Sequence, residues 1–141
     1  MNKTYIDATQ QAGMAFFKQN IQGPVTMLNM LRFKHTADYS LIPHLAPEAP
    51  ISGRQAYQRY MEATMPFLRE AGSEILIYGK SNSFLIGPEN EKWDEVLLVK
   101  HASVAEFMKF AQNEAYLKIA GHRTAALADS RLLPITENNT Y

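Results

Sequence analysis

Apolar positions along the chain repeat with two different periods, and the changes of period mark the elements. Met14, Phe17 and Ile21 recur at helical spacing ahead of Gly23-Pro24. They predict a first helix from a cap at Asp7 or Thr9 to about Asn20. Val25 to Phe33 is a near-continuous apolar run, too short and too closely preceded by Gly-Pro for a helix. It reads as a central strand buried on both faces. Ser52 with Gln55 three residues later has the capping-box pattern. Behind it Ala56, Tyr57, Tyr60, Met61, Thr64, Phe67 and Leu68 keep helical spacing. Pro66 is expected to kink this helix and Gly72 to end it.

From Glu74 to Ile86 the pattern is that of a strand, with Gly79 and Lys80-Ser81-Asn82-Ser83 as a bulge or bend. Gly87-Pro88-Glu89-Asn90 reverses the chain, and Trp93 to His101 returns as an antiparallel strand. Ser103 and Glu106 repeat the capping-box spacing before a short helix through Phe107 and Phe110. Asn113 caps another, which carries Tyr116, Leu117, Ile119, Ala120, Arg123, Thr124 and Leu127. Gly121 within it weakens the helix but permits close packing. Asp129 to Ile135 reads as the last strand, with Pro134 at an edge or strand end, and Thr136 to Tyr141 as a frayed polar tail.

After the extra N-terminal helix the order is β-α-β-β-α-β, an α+β, ferredoxin-like arrangement within one domain whose core spans about 23–135. Helices cover one face of such a sheet. Strands apolar on both faces need a cover for the other, and a second copy of the sheet supplies it. The expectation is a homodimer that closes as a dimeric α/β barrel. Residues 34–52 contain Pro43, Pro47 and Pro50, so they form a long irregular loop. A loop of that length is either a lid or binding loop, or a surface insertion.

Composition narrows the function classes. Fourteen basic residues balance fourteen acidic ones, which removes the overall basic excess that nucleic-acid binding uses, although a local basic patch is compatible with it. With no cysteine there is no disulfide framework, thiolate metal site or cysteine nucleophile. The N-terminal residues lack the apolar stretch of a secretory signal, and no apolar run approaches the ~18 residues of a membrane span. A cytoplasmic protein with neither a nucleic-acid nor a membrane partner is expected. Four histidines occur without HxH or HxxxH spacing and without clustered carboxylates, so no metal site is expected. Haem needs only one histidine, so their number decides nothing about it. The nucleotide-binding and nucleophile-elbow motifs are absent.

Three stretches carry a resemblance. They are Leu28-Asn29-Met30-Leu31-Arg32 in the first strand, Trp93-Asp94-Glu95-Val96-Leu97-Leu98-Val99 followed by Ser103, and Asn113-Glu114-Ala115-Tyr116 with His122-Arg123 and Asp129-Ser130-Arg131-Leu132. As an ordered set over about Gly23 to Pro134 they resemble a family of short dimeric α/β-barrel proteins catalogued only as a domain of unknown function. The resemblance implies the fold, the pairing and a small-molecule cavity between the sheet and its helices. It leaves the chemistry open, because the wider superfamily holds cofactor-free monooxygenases, isomerases, haem-binding barrels and stress-responsive binding proteins.

The candidate residues follow from their chemistry. Asn29, an amide within an apolar strand, either orients a ligand carbonyl or stabilises an oxyanion, or else bonds nearby backbone. His122 and Arg123 are adjacent on a helix and so point about 100° apart. His122 is the candidate general base. Arg123 is a candidate ligand contact or, alternatively, a tie between its helix and Asp129. Tyr60 and Tyr116 either line a pocket with their phenols or belong to the core. Trp93 is a dimer anchor or a core residue. Two functions compete: a cofactor-free enzyme that moves a proton in, or oxygenates, a small carbonyl or aromatic compound, and a non-catalytic dimeric binding or stress module.

Overall fold

The computed structural model describes residues 3–138; Asn139, Thr140 and Tyr141 of the polar tail lie outside the described residues. Helix α1 spans Gln10–Lys18, and the Thr9 side chain caps it by accepting from Ala12 N at 3.0 Å. Its apolar face differs from the one the spacing predicts. Phe16 meets Phe107 edge-on at 6.2 Å, while Met14 and Phe17 stay exposed.

Strand β1 is Val25–Phe33, with the predicted bounds. Helix α2 is Gly53–Glu70, and both halves of the Ser52–Gln55 capping box are formed. It runs on through Pro66, then ends at Gly72, whose φ of 72° is the left-handed conformation a terminator needs. Strand β2 is Glu74–Lys80 and strand β3 is Glu95–His101. The expected strand through Ile86 therefore stops six residues early. Lys80 pairs with Glu95, the first residue of β3, so beyond Lys80 the sheet offers no partner except an isolated bridge between Ser83 and Lys92. Leu85 and Ile86 are left almost fully exposed, and Trp93 is buried ahead of its strand.

Helices α3, Val104–Gln112, and α4, Glu114–Ile119, follow, with Asn113 capping α4 through bonds from Ala115 N and Tyr116 N. The single helix expected over 114–127 is broken at Ala120. Helix α5 is Gly121–Ala126, and the last strand, β4, begins at Leu127 and runs to Ile135.

The sheet order is β2-β3-β1-β4 and every pairing is antiparallel. This is a ferredoxin-like sheet, and Pro134 sits on its edge strand β4. Alternation along β1 divides the two faces. Val25, Met27 and Leu31 are fully buried, and Leu31 packs in the core with Tyr57 of α2, Ala125 of α5 and Leu127. The opposite face carries Leu28, Met30, Val96 and Leu98, half-buried, with Ile77 and Leu133 exposed. No described helix is long and apolar enough to cross a membrane.

The 34–52 loop is held down rather than free. Lys34 N and Asp38 N donate to the carbonyls of Ala126 and Ala125, and Ala37 N donates to Ile51 O. Tyr39 is buried as a result.

Candidate functional site

His122 follows Gly121 on α5, where the loop's Ile42 and Leu45 press against the helix. A Cβ on Gly121 would stand 2.8 Å from Leu45 Cδ1, so glycine lets the loop seat itself there. That seat brings Tyr39 to His122. The phenol and Nδ1 are 2.7 Å apart and the rings meet edge-on at 5.6 Å. Burial, then the Arg59 cation, holds the imidazole below its ordinary value, so it is neutral at pH 7. Burial pushes the Tyr39 phenol up, so it keeps its proton. A protonated phenol donating to Nδ1 places the imidazole proton on Nε2. In the other tautomer Nδ1 donates and Nε2 is the free base. Either way the pair can hold and pass one proton.

The adjacent Arg123 turns elsewhere, as helical geometry requires. Its Nη1 donates to the Ile6 carbonyl at 2.7 Å and lies 3.6 Å from Asp7, and Nη2 reaches Ser130 Oγ at 3.4 Å. The expected tie to Asp129 is not made. Asp129 pairs in register with Arg32 on the face away from the helices, and its carboxylate takes Arg131, Arg32 and Tyr5 N instead. Arg123 thus fastens the N-terminal segment to α5.

Tyr60 and Tyr116 are brought together. Their hydroxyls are 2.6 Å apart in the core, where Phe110 stacks on Tyr116 at 4.5 Å. Burial, followed by the neighbouring Tyr60, drives the Tyr116 phenol far up, so it remains neutral. Asn29 points to the helix-facing side in register with Leu97 and Leu132. Its Nδ2 donates to Met27 O at 3.3 Å and Leu97 O at 3.2 Å. Among the described residues no hydrogen bond joins Asn29 to His122 or to either tyrosine.

Two site features escape the sequence reading. Tyr39 lies in a loop without periodicity, and only the fold carries it to His122. Glu95 is a buried carboxylate with Oε2 on Arg54 and Oε1 without a hydrogen-bond partner among the described residues. Alternation could have flagged it, since Glu95, Leu97, Val99 and His101 all sit on the buried face of β3. Tyr78 lies beside Glu95, and burial together with that carboxylate pushes its phenol up. Among the described residues, no group of three or more His, Asp or Glu could hold a metal ion.

Known proteins resemble this chain at several distances. A crystal structure of a protein of unknown function from Rhodopseudomonas palustris is 30% identical, with a TM-score of 0.83 and 97% and 99% of the two chains covered. A dimeric ferredoxin-like protein of unknown function from Jannaschia sp. CCS1 is similar at 9% identity, with a TM-score of 0.54 and 82% and 100% coverage. SnoaB, a cofactor-independent oxygenase from Streptomyces nogalater, is similar at 13% identity, with a TM-score of 0.52 and 84% and 97% coverage. These last two likenesses concern the fold alone. No curated protein matches the chain. Residues 47–135 match the family model described as Domain of unknown function (DUF1330).

Proposed function

The chain belongs to the DUF1330 family of domains of unknown function, and from that premise we propose a cofactor-free enzyme that moves a proton in a small carbonyl or aromatic compound. The observation that carries this reading is the hydrogen-bonded Tyr39–His122 pair. A base works best when its pKa lies near the working pH and its free lone pair is aimed. His122 is neutral at pH 7, and Tyr39 fixes its ring. His122 is the proposed base and Tyr39 its positioning residue. Tyr60, Tyr116 and the Oδ1 side of Asn29, whose Nδ2 is held by the backbone, form the proposed binding wall on the sheet's helix-facing side. Arg123 serves by anchoring α5 rather than by meeting the ligand. A ferredoxin-like fold shared with a protein named a cofactor-independent oxygenase supports chemistry without a cofactor. The exposed apolar sheet face supports a homodimer, and a dimeric neighbour of the same fold supports it too.

Histidine-resolved NMR tests the reading. His122 is expected to titrate below the ordinary ~6.5. With Nε2 as the base, Nδ1–H donates to the Tyr39 oxygen, a bond that also serves the charged ring, so Tyr39→Phe should lower the value further. The sign carries over to stability. The unfolded chain takes up the proton first, so stability falls as pH drops below ~6.5 toward the folded value. 4-Hydroxyacetophenone, which carries both a carbonyl and an aromatic ring, should then move the His122 resonances saturably at neutral pH. An ordinary pKa indifferent to Tyr39→Phe would sink the proton-transfer role. Saturable binding that leaves His122 unmoved would mark a non-catalytic binding module.

A further inference from the structure

At one end of the sheet's open face lies a recess of about 600 Å³, remote from the Tyr39–His122 pair in its lining. Lys3, Arg32, Lys92 and Arg131 line it with only Glu91 and Asp129 as counter-charges. A chain with no net charge thus gathers four cations against two anions in one place.

Both carboxylates are already committed to the protein. Asp129 Oδ1 accepts from Tyr5 N, Ser130 N and Arg131 Nη1, each at 2.8 Å, and Oδ2 lies 3.5 Å from Arg32. Glu91 accepts from the Trp93 indole at 3.0 Å. Each charge-assisted bond holds the acid against its own donors and away from the opening.

The guanidiniums are held as well. Arg32 donates twice to the Lys92 carbonyl, at 3.0 and 2.8 Å, and stacks 4.7 Å from the Trp93 ring centre. Arg131 stacks 5.0 Å from Trp93 and 4.8 Å from the half-exposed Tyr5 ring. Among the described residues Arg131 hydrogen-bonds through Nη1 alone, which leaves its remaining donors for a ligand. Neither Lys3 nor Lys92 has an ion-pair partner among the described residues. Cations fixed by stacking and backbone bonds lose little freedom when they meet an anion, and Arg suits a planar carboxylate through its paired donors.

We propose that this recess is a binding site for a small aromatic carboxylate, with Arg131 taking the carboxylate, Tyr5 facing the ring and Lys3 and Lys92 supplying the outer charge. The volume falls within the usual range of small-molecule sites. The site is independent of the proton-transfer reading and stands or falls separately from it.

Trp93 is the chain's only tryptophan and lies against both guanidiniums, so its fluorescence reports on the recess. Benzoate added to the full chain should change that emission saturably, and benzyl alcohol, with the same ring and no charge, should not. Lys3→Gln with Lys92→Gln removes two charges that have no ion pair among the described residues. This double variant should melt like the parent and bind benzoate roughly fivefold more weakly. Arg131→Met should abolish the response, but it also frees Asp129, so the lysine pair is the deciding variant. No saturable response to benzoate, an equal response to benzyl alcohol, or unchanged affinity in the double lysine variant would each overturn the proposal.

Discussion

Asn29 stands in the middle of the central strand, and its Nδ2 already serves two backbone carbonyls, those of Met27 and Leu97. Replacing it with leucine keeps the volume and removes both bonds. Each contact is at the long end of the hydrogen-bond range, so the expected loss is roughly 1–2 kcal/mol in all. Urea denaturation of Asn29→Leu measures it. A midpoint equal to or above the parent's would mean that the Nδ2 bonds do no structural work. The sequence marks Asn29 because a carboxamide in an apolar run must find partners, and it leaves open which ones. Arg123 shows a different limit. Helical spacing correctly separates it from His122, but nearness in sequence to Asp129 misleads. Consecutive residues of a strand face opposite ways, so α5 meets Ser130 while Asp129 lies across the sheet with Arg32. Pairing that depends on which face a residue takes becomes readable only once the register is known.

Helix starts and strand β1 are legible because each is a local event. The Ser52–Gln55 box, the Asn113 cap and the apolar run 25–33 need only neighbouring residues, and all three form as expected. Element ends are less legible because they depend on partners. Phe84-Leu85-Ile86 has strand character, but no neighbouring strand extends beyond Lys80 to receive it. The long loop is likewise defined by what it touches, and its anchor is the junction where β1 ends, α2 starts and α5 ends. Gly53 N donates to Lys34 O at 3.0 Å there, while Lys34 N donates to Ala126 O at 2.8 Å. A Cβ on Gly53 would lie 2.3 Å from Lys34 O and 2.6 Å from Ala126 O. Both are backbone atoms held by those bonds, so nothing can rotate away. Gly53→Ala is expected to cost about 3 kcal/mol, at the upper end of overpacking effects. Thermal unfolding reads the loss. The Lys34 amide should exchange with solvent faster as the junction loosens. An alanine variant as stable as the parent would show that the junction yields more easily than these distances allow.

The whole-molecule layout is the most legible level. The β-α-β-β-α-β order leads to the observed sheet β2-β3-β1-β4, and alternation within the apolar strands leads to an open apolar face. The cavity is not legible in the same way, since its place depends on how side chains fill space. The tyrosines on α2 and α4 pack tightly on the helix side, and the large recess opens past Arg32 and Arg131. The open face itself makes the last prediction. Register aligns Leu133, Leu28, Leu98 and Ile77 in one row across all four strands. Met30 and Val96 form the next row. A patch this continuous is costly to leave wet, and face-to-face pairing of two copies would bury on the order of 1,500 Å² in total. Leu98→Glu separates the two states. On a single subunit the half-buried position lets the carboxylate reach water, so the cost to folding should stay below about 1 kcal/mol. Between two sheets the same carboxylate would be buried against its own copy without a partner, a penalty of several kcal/mol. Sedimentation at tens of micromolar should therefore find the parent as a dimer and the variant as a monomer. The parent's unfolding temperature should rise with protein concentration, and the variant's should not. A parent that sediments as a monomer would remove the barrel, and a Leu98→Glu variant that stays dimeric would move the interface to another surface.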